Sequence, residues 1–424
     1  MQVVFSLFVY KSIFNPIFYF NVLFFLHNWS YSFGTFIYPD TILPWRAYPT
    51  VSYETQPNVL LINLISLWTL FLTFTALTIR GRVFNKKNYG YFKSLSSFPL
   101  LYFMFTLILV IKLYLGGAFS GGFVYGQGQA LTSKEAFSPI EQILGLRVIF
   151  ASAYLIIQKN KKKSTTRLIF LVEIIFTFLE GGRKVLVMLL LSALIPYLEA
   201  SKVNLIRFFR ITFVSFIMIY VLIAITFFRG LDRDISFTDR ISQTNIRLAQ
   251  TGELVTFLII NAANSEGVQN WTYQLIENEE LDYSYGKSYF QAFVNIFLLR
   301  PFQGDIADMQ AAYVFKYVAY PETDNHGYDY SFTAESILNW GPRFSFISYF
   351  FLGLIASFIY NRRFKNDLYR LLYYALWPTL YIYFRTDSTA LLRTISFYLF
   401  IGFLTIFDIR RLKLQFIKTH TSLK

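Results

Sequence analysis

Apolar residues run in ten long blocks along the chain, at about 13–29, 58–79, 97–115, 139–157, 167–180, 184–199, 211–228, 344–360, 371–384 and 394–408. A helix that crosses a bilayer needs roughly 20 residues, and most blocks reach that length once their flanks are added. The fifth and sixth fall short separately. Together they form one apolar stretch from Arg167 to Glu199, interrupted by Glu180-Gly-Gly-Arg-Lys184. It is too long for one straight span, so the pattern predicts a hairpin of two short helices, with the polar break at or below one membrane surface. Continuous apolar runs in lipid must satisfy their own backbone hydrogen bonds, which helices do. The expected fold class is an all-α polytopic membrane protein with about ten transmembrane helices.

Basic residues set the expected orientation. Arg80, Arg82, Lys86, Lys87 and Lys93 share one loop; Lys159, Lys161, Lys162, Lys163 and Arg167 share another. Further groups are Lys202, Arg207 and Arg210; Arg362, Arg363, Lys365 and Arg370; and the tail from Arg410 to Lys424. With ten spans and a cytoplasmic N-terminus, all five groups fall on the cytoplasmic side, as the excess of Lys and Arg in inner loops requires. Treating the hairpin as a single span puts the groups before and after it on opposite sides. The charge pattern therefore supports two helices there and both termini inside. No charged segment followed by an apolar core and a small-residue cleavage site precedes the first block, so no removable signal peptide is expected.

The outer side then holds about 30–57, about 116–138, 229–343 and the short link Arg385–Arg393. The third is roughly 115 residues long, beyond any ordinary connection, and implies structure of its own. The expected organisation is seven or so helices in 1–228, one large periplasmic loop in 229–343, and three helices with a cytoplasmic tail in 344–424. Within the loop, Gly252–Asn264 and Gln291–Leu299 have patterns of short amphipathic helices lying on the membrane.

Composition agrees. Of 424 residues, 55% are hydrophobic and 20% aromatic, and only 15% are charged. That argues against a disordered chain, a nucleic-acid binder and an ordinary soluble enzyme. The net charge of +14 reflects the inner loops rather than a nucleic-acid partner. Cysteine is absent, which removes disulfides, thiolate metal sites and a Cys nucleophile. The Gly-rich Gly116–Gly128 segment lacks the Lys-Ser/Thr ending of a phosphate-binding loop.

Candidate chemistry concentrates outside. Arg229, Arg233, Arg240 and Arg247 follow a span directly, and Arg300 and Arg343 lie further along the loop. Guanidinium forks bind phosphate or pyrophosphate oxygens in pairs. Pairing with the interleaved Asp232, Asp234 and Asp239 is the plain alternative. Arg183 sits at the hairpin break, where ionisable groups at membrane depth are costly and often functional. Its alternative is a surface pair with Glu180. Arg385 and Arg393 flank the short outer link and, with Asp387, can close over an outward cavity or anchor an interface. Arg147 and Lys112 fall inside spans, facing the same cavity or snorkelling. Among three histidines, His326 lies in the outer loop beside Asp324 and Asp329, a position suited to a general base; His27 reads as interfacial among aromatics. Tyrosines including Tyr328 and Tyr330 offer flat faces for sugar rings or for the membrane interface. Three scattered histidines argue against a zinc site, and no cofactor is expected.

The segment Tyr330-Ser-Phe-Thr-Ala-Glu-Ser-Ile-Leu-Asn-Trp-Gly341 resembles the Ser…Glu…Asn-aromatic-Gly signature of the bacterial oligosaccharide repeat-unit polymerases, the Wzy-type O-antigen polymerases. There too the signature closes a long periplasmic loop and leads into a span with Gly-Leu, here Phe351-Leu-Gly-Leu354. Glu180-Gly-Gly-Arg183 is similar to the family's Gly-Arg element, and Asn15-Pro16 to its early Asn-Pro. The likeness covers most of the chain in layout and about twenty residues in motif.

The resemblance implies a GT-C-like fold, shared with the O-antigen ligases, in the bacterial inner membrane. It implies a glycosyltransferase that joins undecaprenyl-pyrophosphate-linked oligosaccharide repeat units on the periplasmic side. The bilayer and a chain-length regulator in the membrane are the implied partners. Carried over, the catalytic candidates are His326, Arg183, Arg385 and Glu335. The substrate-binding candidates are Arg229, Arg233, Arg240, Arg247, Arg300, Arg393, Asn339, Tyr328 and Tyr330. No equivalent of the paired long-range Arg motif of some members is evident. A pyrophosphate leaving group needs positive charge and a base, both of which side chains supply, so no metal is expected. The competing readings are an O-antigen ligase, which uses the same donor, and a flippase or transporter, which predicts repeated halves that are not visible here.

Overall fold

A computed structural model describes residues 2, 15–29, 32, 55–80, 98–115, 139–157, 163–180, 184–200, 264–297, 304–319, 330–365, 367–384 and 386–406, with isolated positions between 213 and 246. Among the described residues the chain is helical and has no strand. The elements are α1 (Pro16–Asn28), α2 (Gln56–Arg80), α3 (Phe98–Leu115), α4 (Pro139–Ile157), α5 (Lys163–Glu180) and α6 (Lys184–Ala200). After the described part resumes come α7 (Asn264–Glu277), α8 (Lys287–Phe297), a 3-10 turn (Gly304–Met309) and α9 (Ala311–Ala319). The C-terminal part holds α10 (Phe332–Phe344), α11 (Phe346–Arg362), α12 (Asp367–Tyr383) and α13 (Ser388–Ile406).

The expected division of the Arg167–Glu199 stretch is present: α5 ends at Glu180 and α6 begins at Lys184. The first helix begins where its sequence provides a start. The Asn15 side chain accepts the Phe18 N–H at 3.0 Å, and Pro16 occupies the first helical position, where a missing N–H costs nothing. Among the described residues only α2, over Gln56–Thr78, is by itself long and apolar enough to cross a membrane. The pair α10 and α11 meets that test jointly but bends by 116° at Ser345. Shorter apolar helices cover Pro16–Phe25, Phe98–Ile111, Leu146–Ile157, Val185–Glu199 and Ser388–Gly402.

Helices α11 and α2 form the most extensive pair, with α12 against α13 and α6, and α3 against α4. Gly353 permits the first approach: a Cβ there would lie 3.0 Å from Thr73 Cβ and 3.3 Å from the Leu70 carbonyl oxygen. The core is strongly aromatic. Trp377, Tyr349, Tyr373, Tyr398, Phe24 and Phe74 are fully buried, and Trp377 packs against Tyr19, Phe20 and Tyr373. Edge-on and tilted rings fill the volume between helices and add to the area they bury.

Inside this bundle the Arg147 guanidinium pairs with Glu173, lies 4.8 Å from the Phe176 ring centre, and shares Glu173 with the Tyr102 hydroxyl, which donates at 2.8 Å. Both charges are buried. Arg147 therefore neither snorkels nor faces the outer cavity; α5 supplies its counter-charge. His27, expected at an interface, is instead buried at the end of α1, its ring beside Tyr381 and Phe384.

A second, smaller core joins α7, α9 and α10 to the N-terminal end of α2, through Val268, Trp271, Phe315, Ile337 and Val59. Of the two expected amphipathic loop helices, Gln291–Leu299 corresponds to α8. Its Phe290, Phe293 and Phe297 recur on one exposed face while Ser288, Gln291 and Ala292 are buried. Gly252–Asn264 lies outside the described residues except for Asn264.

Candidate functional site

The signature segment forms α10. Ser331 caps it, its hydroxyl accepting the Ala334 N–H. Glu335 and Asn339 are four residues apart, one turn, and so share a face. That face meets the N-terminal ends of two other helices. Ser288 Oγ, in the first turn of α8, donates to Glu335 Oε1 at 2.7 Å. Ser388, the first residue of α13, donates its Oγ to the same oxygen at 2.6 Å and its N–H to Oε2 at 2.7 Å. Asn339 donates to Ser288 Oγ at 2.7 Å and accepts the Gly286 N–H at 2.9 Å. The chain Asn339–Ser288–Glu335–Ser388 is continuous, and Glu335, Asn339 and Ser288 are all buried.

Helix N-termini carry partial positive charge from unpaired N–H groups, and two of them converge on this carboxylate. Opposing them are burial and a second acid. Asp387 sits immediately before α13 and is itself buried. It accepts from Gln310 Nε2 at 2.6 Å, and from the backbone N–H groups of Ala312 and Ala390, so one carboxylate caps both α9 and α13. Burial pushes Glu335 above the ordinary carboxylate range, and the neighbouring Asp387 adds to this. Burial likewise raises Asp387, against the hydrogen bonds from Gln310, Ala312 and Ala390 and the charge of Arg393. Glu335 lies in the first turn of α10, and Asp387 immediately precedes α13.

The end of α10 is shaped by Gly341, whose φ of +75° is left-handed and whose position would bring a Cβ to 3.1 Å from the Tyr283 ring. Pro342 follows, and the chain turns into α11. Trp340 Nε1 donates to Ser348 Oγ at 2.9 Å across that turn, and Tyr289 shares the same hydroxyl at 2.7 Å.

A further buried strand of amides ties the loop to the N-terminal helices. Gln269 in α7 donates to Asn28 Oδ1 at 2.6 Å and accepts from Asn63 at 2.9 Å. Thr333 in α10 donates to the same Asn28 oxygen at 2.9 Å. Thus α1, α2, α7 and α10 meet in one polar knot beside the Glu335 cage.

Among the sequence candidates Glu335, Asn339, Tyr330 and Arg393 are described, as is Arg343, exposed in the last turn of α10. Glu335 and Asn339 are brought together in the cage, and Arg393 stands one turn into α13 near Asp387. Glu335 has no exposed surface and accepts three hydrogen bonds on its two oxygens, which tie α10 to α8 and α13. Tyr330 is buried, its ring 5.0 Å from Phe315 and its hydroxyl 3.4 Å from Thr272 Oγ1. It packs in the second core with Phe315. Arg183, Arg229, Arg233, Arg240, Arg247, Arg300, Arg385, His326 and Tyr328 lie outside the described residues. Sequence reasoning missed Ser288, Ser388, Gln310, Asn28, Asn63, Gln269 and Thr333. Asp387-Ser388-Thr389 before an apolar run carried a helix-start signal that pointed to the α13 end.

A family model described as O-antigen polysaccharide polymerase Wzy matches residues 1–415. The chain belongs to the Wzy O-antigen polymerase family. No curated protein and no solved structure is matched by the chain. Membership in the Wzy family makes it a glycosyltransferase-type enzyme of surface polysaccharide biosynthesis in the inner membrane, acting on lipid-linked oligosaccharide repeat units. In this Wzy chain the signature's Ser331, Glu335 and Asn339 are the cap and the cage of α10, and its Gly341 is the turn into α11.

Proposed function

We propose that the protein joins undecaprenyl-pyrophosphate-linked repeat units at the periplasmic face of the inner membrane. The growing glycan is the donor and a single lipid-linked repeat the acceptor. An acceptor hydroxyl oxygen bonds to the donor's anomeric carbon, the bond from that carbon to the pyrophosphate oxygen breaks, and the lipid pyrophosphate leaves with the electron pair. The hydroxyl proton passes to a base, for which His326 is the proposed residue. Arg183, Arg385 and the arginines of the large loop are proposed to hold the pyrophosphate and take up its developing charge, so a metal is not required. This reading uses about ten spans, cytoplasmic termini, the division at 228 and 343, and a chain-length regulator as membrane partner.

The observation that carries the proposal is the Glu335 cage, taken with the family match over 1–415. It fixes α8 and α10 onto the first residue of α13, the helix that carries Arg393. Guanidinium groups can stabilise a leaving group only if their backbone is already in place, and the cage is suited to that preorganisation. The exposed Phe290, Phe293 and Phe297 face of α8 fits a helix lying on the membrane beside the site.

The test is deletion of the gene followed by gel separation of the surface polysaccharide. Loss of the ladder with retention of single capped repeats supports polymerisation. An unchanged ladder contradicts it, and loss of the single capped repeat as well points to a ligase.

A further inference from the structure

At the end of the bundle away from the Glu335 cage, α2, α11, α12 and α13 enclose an apolar cavity of about 800 Å³. Its walls include Leu77, Leu354, Leu372, Leu376, Ile395 and Leu399. A sixteen-carbon acyl chain, at about 30 Å³ per methylene (roughly the share of one water in the liquid), needs on the order of 500 Å³. The cavity is open on one side. Leu77, Ile355 and Phe358, which line it, are 38%, 52% and 48% exposed, so a chain can enter laterally from the bilayer.

The rim of the same cavity carries charge. Arg362 ends α11, and its guanidinium carbon lies 3.6 Å from the ring centre of Phe358 and 5.8 Å from that of Tyr369. Both rings line the cavity. Stacking of this kind holds the planar group in place while leaving its N–H edges available. Lys365 is exposed three residues later. Among the described residues neither Arg362 nor Lys365 meets a carboxylate. The adjacent Arg363 is committed differently, over Tyr360 and Phe364 and toward Glu199. Asn361, also in the wall, donates to the Leu77 carbonyl at 3.1 Å and joins α11 to α2 at the rim.

We propose that this cavity is a binding site for one anionic phospholipid, its acyl chain between α11, α12 and α13 and its phosphate on Arg362, with Lys365 beside it. An apolar slot with a guanidinium held against two rings at its mouth matches a molecule that is apolar at one end and anionic at the other. The orientation proposed above puts this rim in the cytoplasmic leaflet, where basic side chains meet anionic headgroups. The lipid site does not depend on that orientation or on the polymerase reaction, and its test reads binding alone.

The test uses the purified full-length protein in mild detergent. Native mass spectrometry records retention of dioleoyl phosphatidylglycerol, dioleoyl phosphatidylethanolamine, undecaprenyl phosphate and inorganic phosphate, each added separately and then in competition. Phosphatidylglycerol should be held in preference to phosphatidylethanolamine at one copy per chain. Arg362→Gln should weaken it about fivefold, the effect of one basic side chain at an anionic surface, and Arg362→Lys should restore most of the preference. Ala375→Phe, which fills the wall, should reduce retention of phosphatidylglycerol while thermal unfolding shows the variant folded; if that variant fails to fold, Leu399→Phe replaces it. Equal retention of the two phospholipids, an unchanged Arg362→Gln, or displacement of phosphatidylglycerol by inorganic phosphate alone would each overturn the proposal. Full displacement by undecaprenyl phosphate at equal concentration would also overturn it, assigning the cavity to a polyprenyl chain.

Discussion

Replacing Glu335 by Gln probes the cage with almost no change of shape. Three donors point at the two carboxylate oxygens: Ser288 Oγ and Ser388 Oγ at Oε1, and the Ser388 N–H at Oε2. A carboxylate satisfies all three because it only accepts. A glutamine oxygen in the Oε1 position still accepts both hydroxyls, but its NH2 group then faces the Ser388 N–H. Above the raised pKa of about 8, where Glu335 is ionised, one charge-assisted hydrogen bond of roughly 1.5–3 kcal/mol is lost and a buried N–H is left without an acceptor, at about 1–3 kcal/mol; below it the protonated acid already resembles glutamine and the loss is smaller. Relief from keeping an acid in a buried site offsets part of this, since burial already disfavours the ionised form. The net expectation above that pH is a destabilisation of about 2 kcal/mol, concentrated where α13 meets α8 and α10, and a smaller one at neutral pH. Equilibrium unfolding of the purified protein in lipid bicelles measures it. In cells the variant should make a shortened polysaccharide ladder that recovers on growth at lower temperature, as a positioning defect does. A folded, fully stable variant that makes no ladder at any temperature would refute the positioning role and make Glu335 a catalytic group. Unchanged stability with a normal ladder would show that the cage contributes nothing.

Four other outcomes are expected, the last resting on the proposed function. Because burial raises Glu335 above its ordinary 4.5, the folded protein holds a proton there that the unfolded chain has lost. That contribution to stability is complete below about pH 4.5 and declines as pH rises through the raised value, and unfolding free energies measured against pH should show this slope weakened in Glu335→Gln. Arg147→Met should lower the yield of folded protein by leaving Glu173 charged and buried, about 3–5 kcal/mol, and adding Glu173→Leu should restore much of it. Gly341→Ala places a side chain at positive φ against the Tyr283 ring, so unfolding should show a loss of about 1–3 kcal/mol. His326→Ala, Arg183→Ala and Arg385→Ala should each abolish polymerisation while folded protein is retained, and full activity of the His326 variant would remove the general-base proposal.

Much of the framework was legible because membrane burial writes itself as long runs. The break at Glu180-Gly-Gly-Arg183 divided α5 from α6 as the apolar pattern predicted. The four-residue spacing of Glu335 and Asn339 placed them on one face, but nothing local named what that face meets. Ser288 and Ser388 are common residues 47 and 53 positions away from Glu335, and only the packing of α8 and α13 brings them to it. The Asn28–Gln269–Thr333 contact spans even longer separations, with uncharged amides that do not interrupt an apolar pattern. Arg147 was visible as a charge inside a span; its partner Glu173 lay in another span and gave no spacing signal. Tyr330 illustrates the converse. A tyrosine suits a sugar face or a core equally by composition, and only its burial against Phe315 decides between them.

The central claim is tested most directly by reconstitution. The purified protein is placed in liposomes with chemically defined undecaprenyl-pyrophosphate-linked repeat units, and the products are separated by mass. A ladder rising by one repeat at a time, with release of one undecaprenyl pyrophosphate per linkage, is the predicted result. Donor that remains a single repeat under these conditions, but is transferred when lipid A–core is supplied, would contradict the polymerase account.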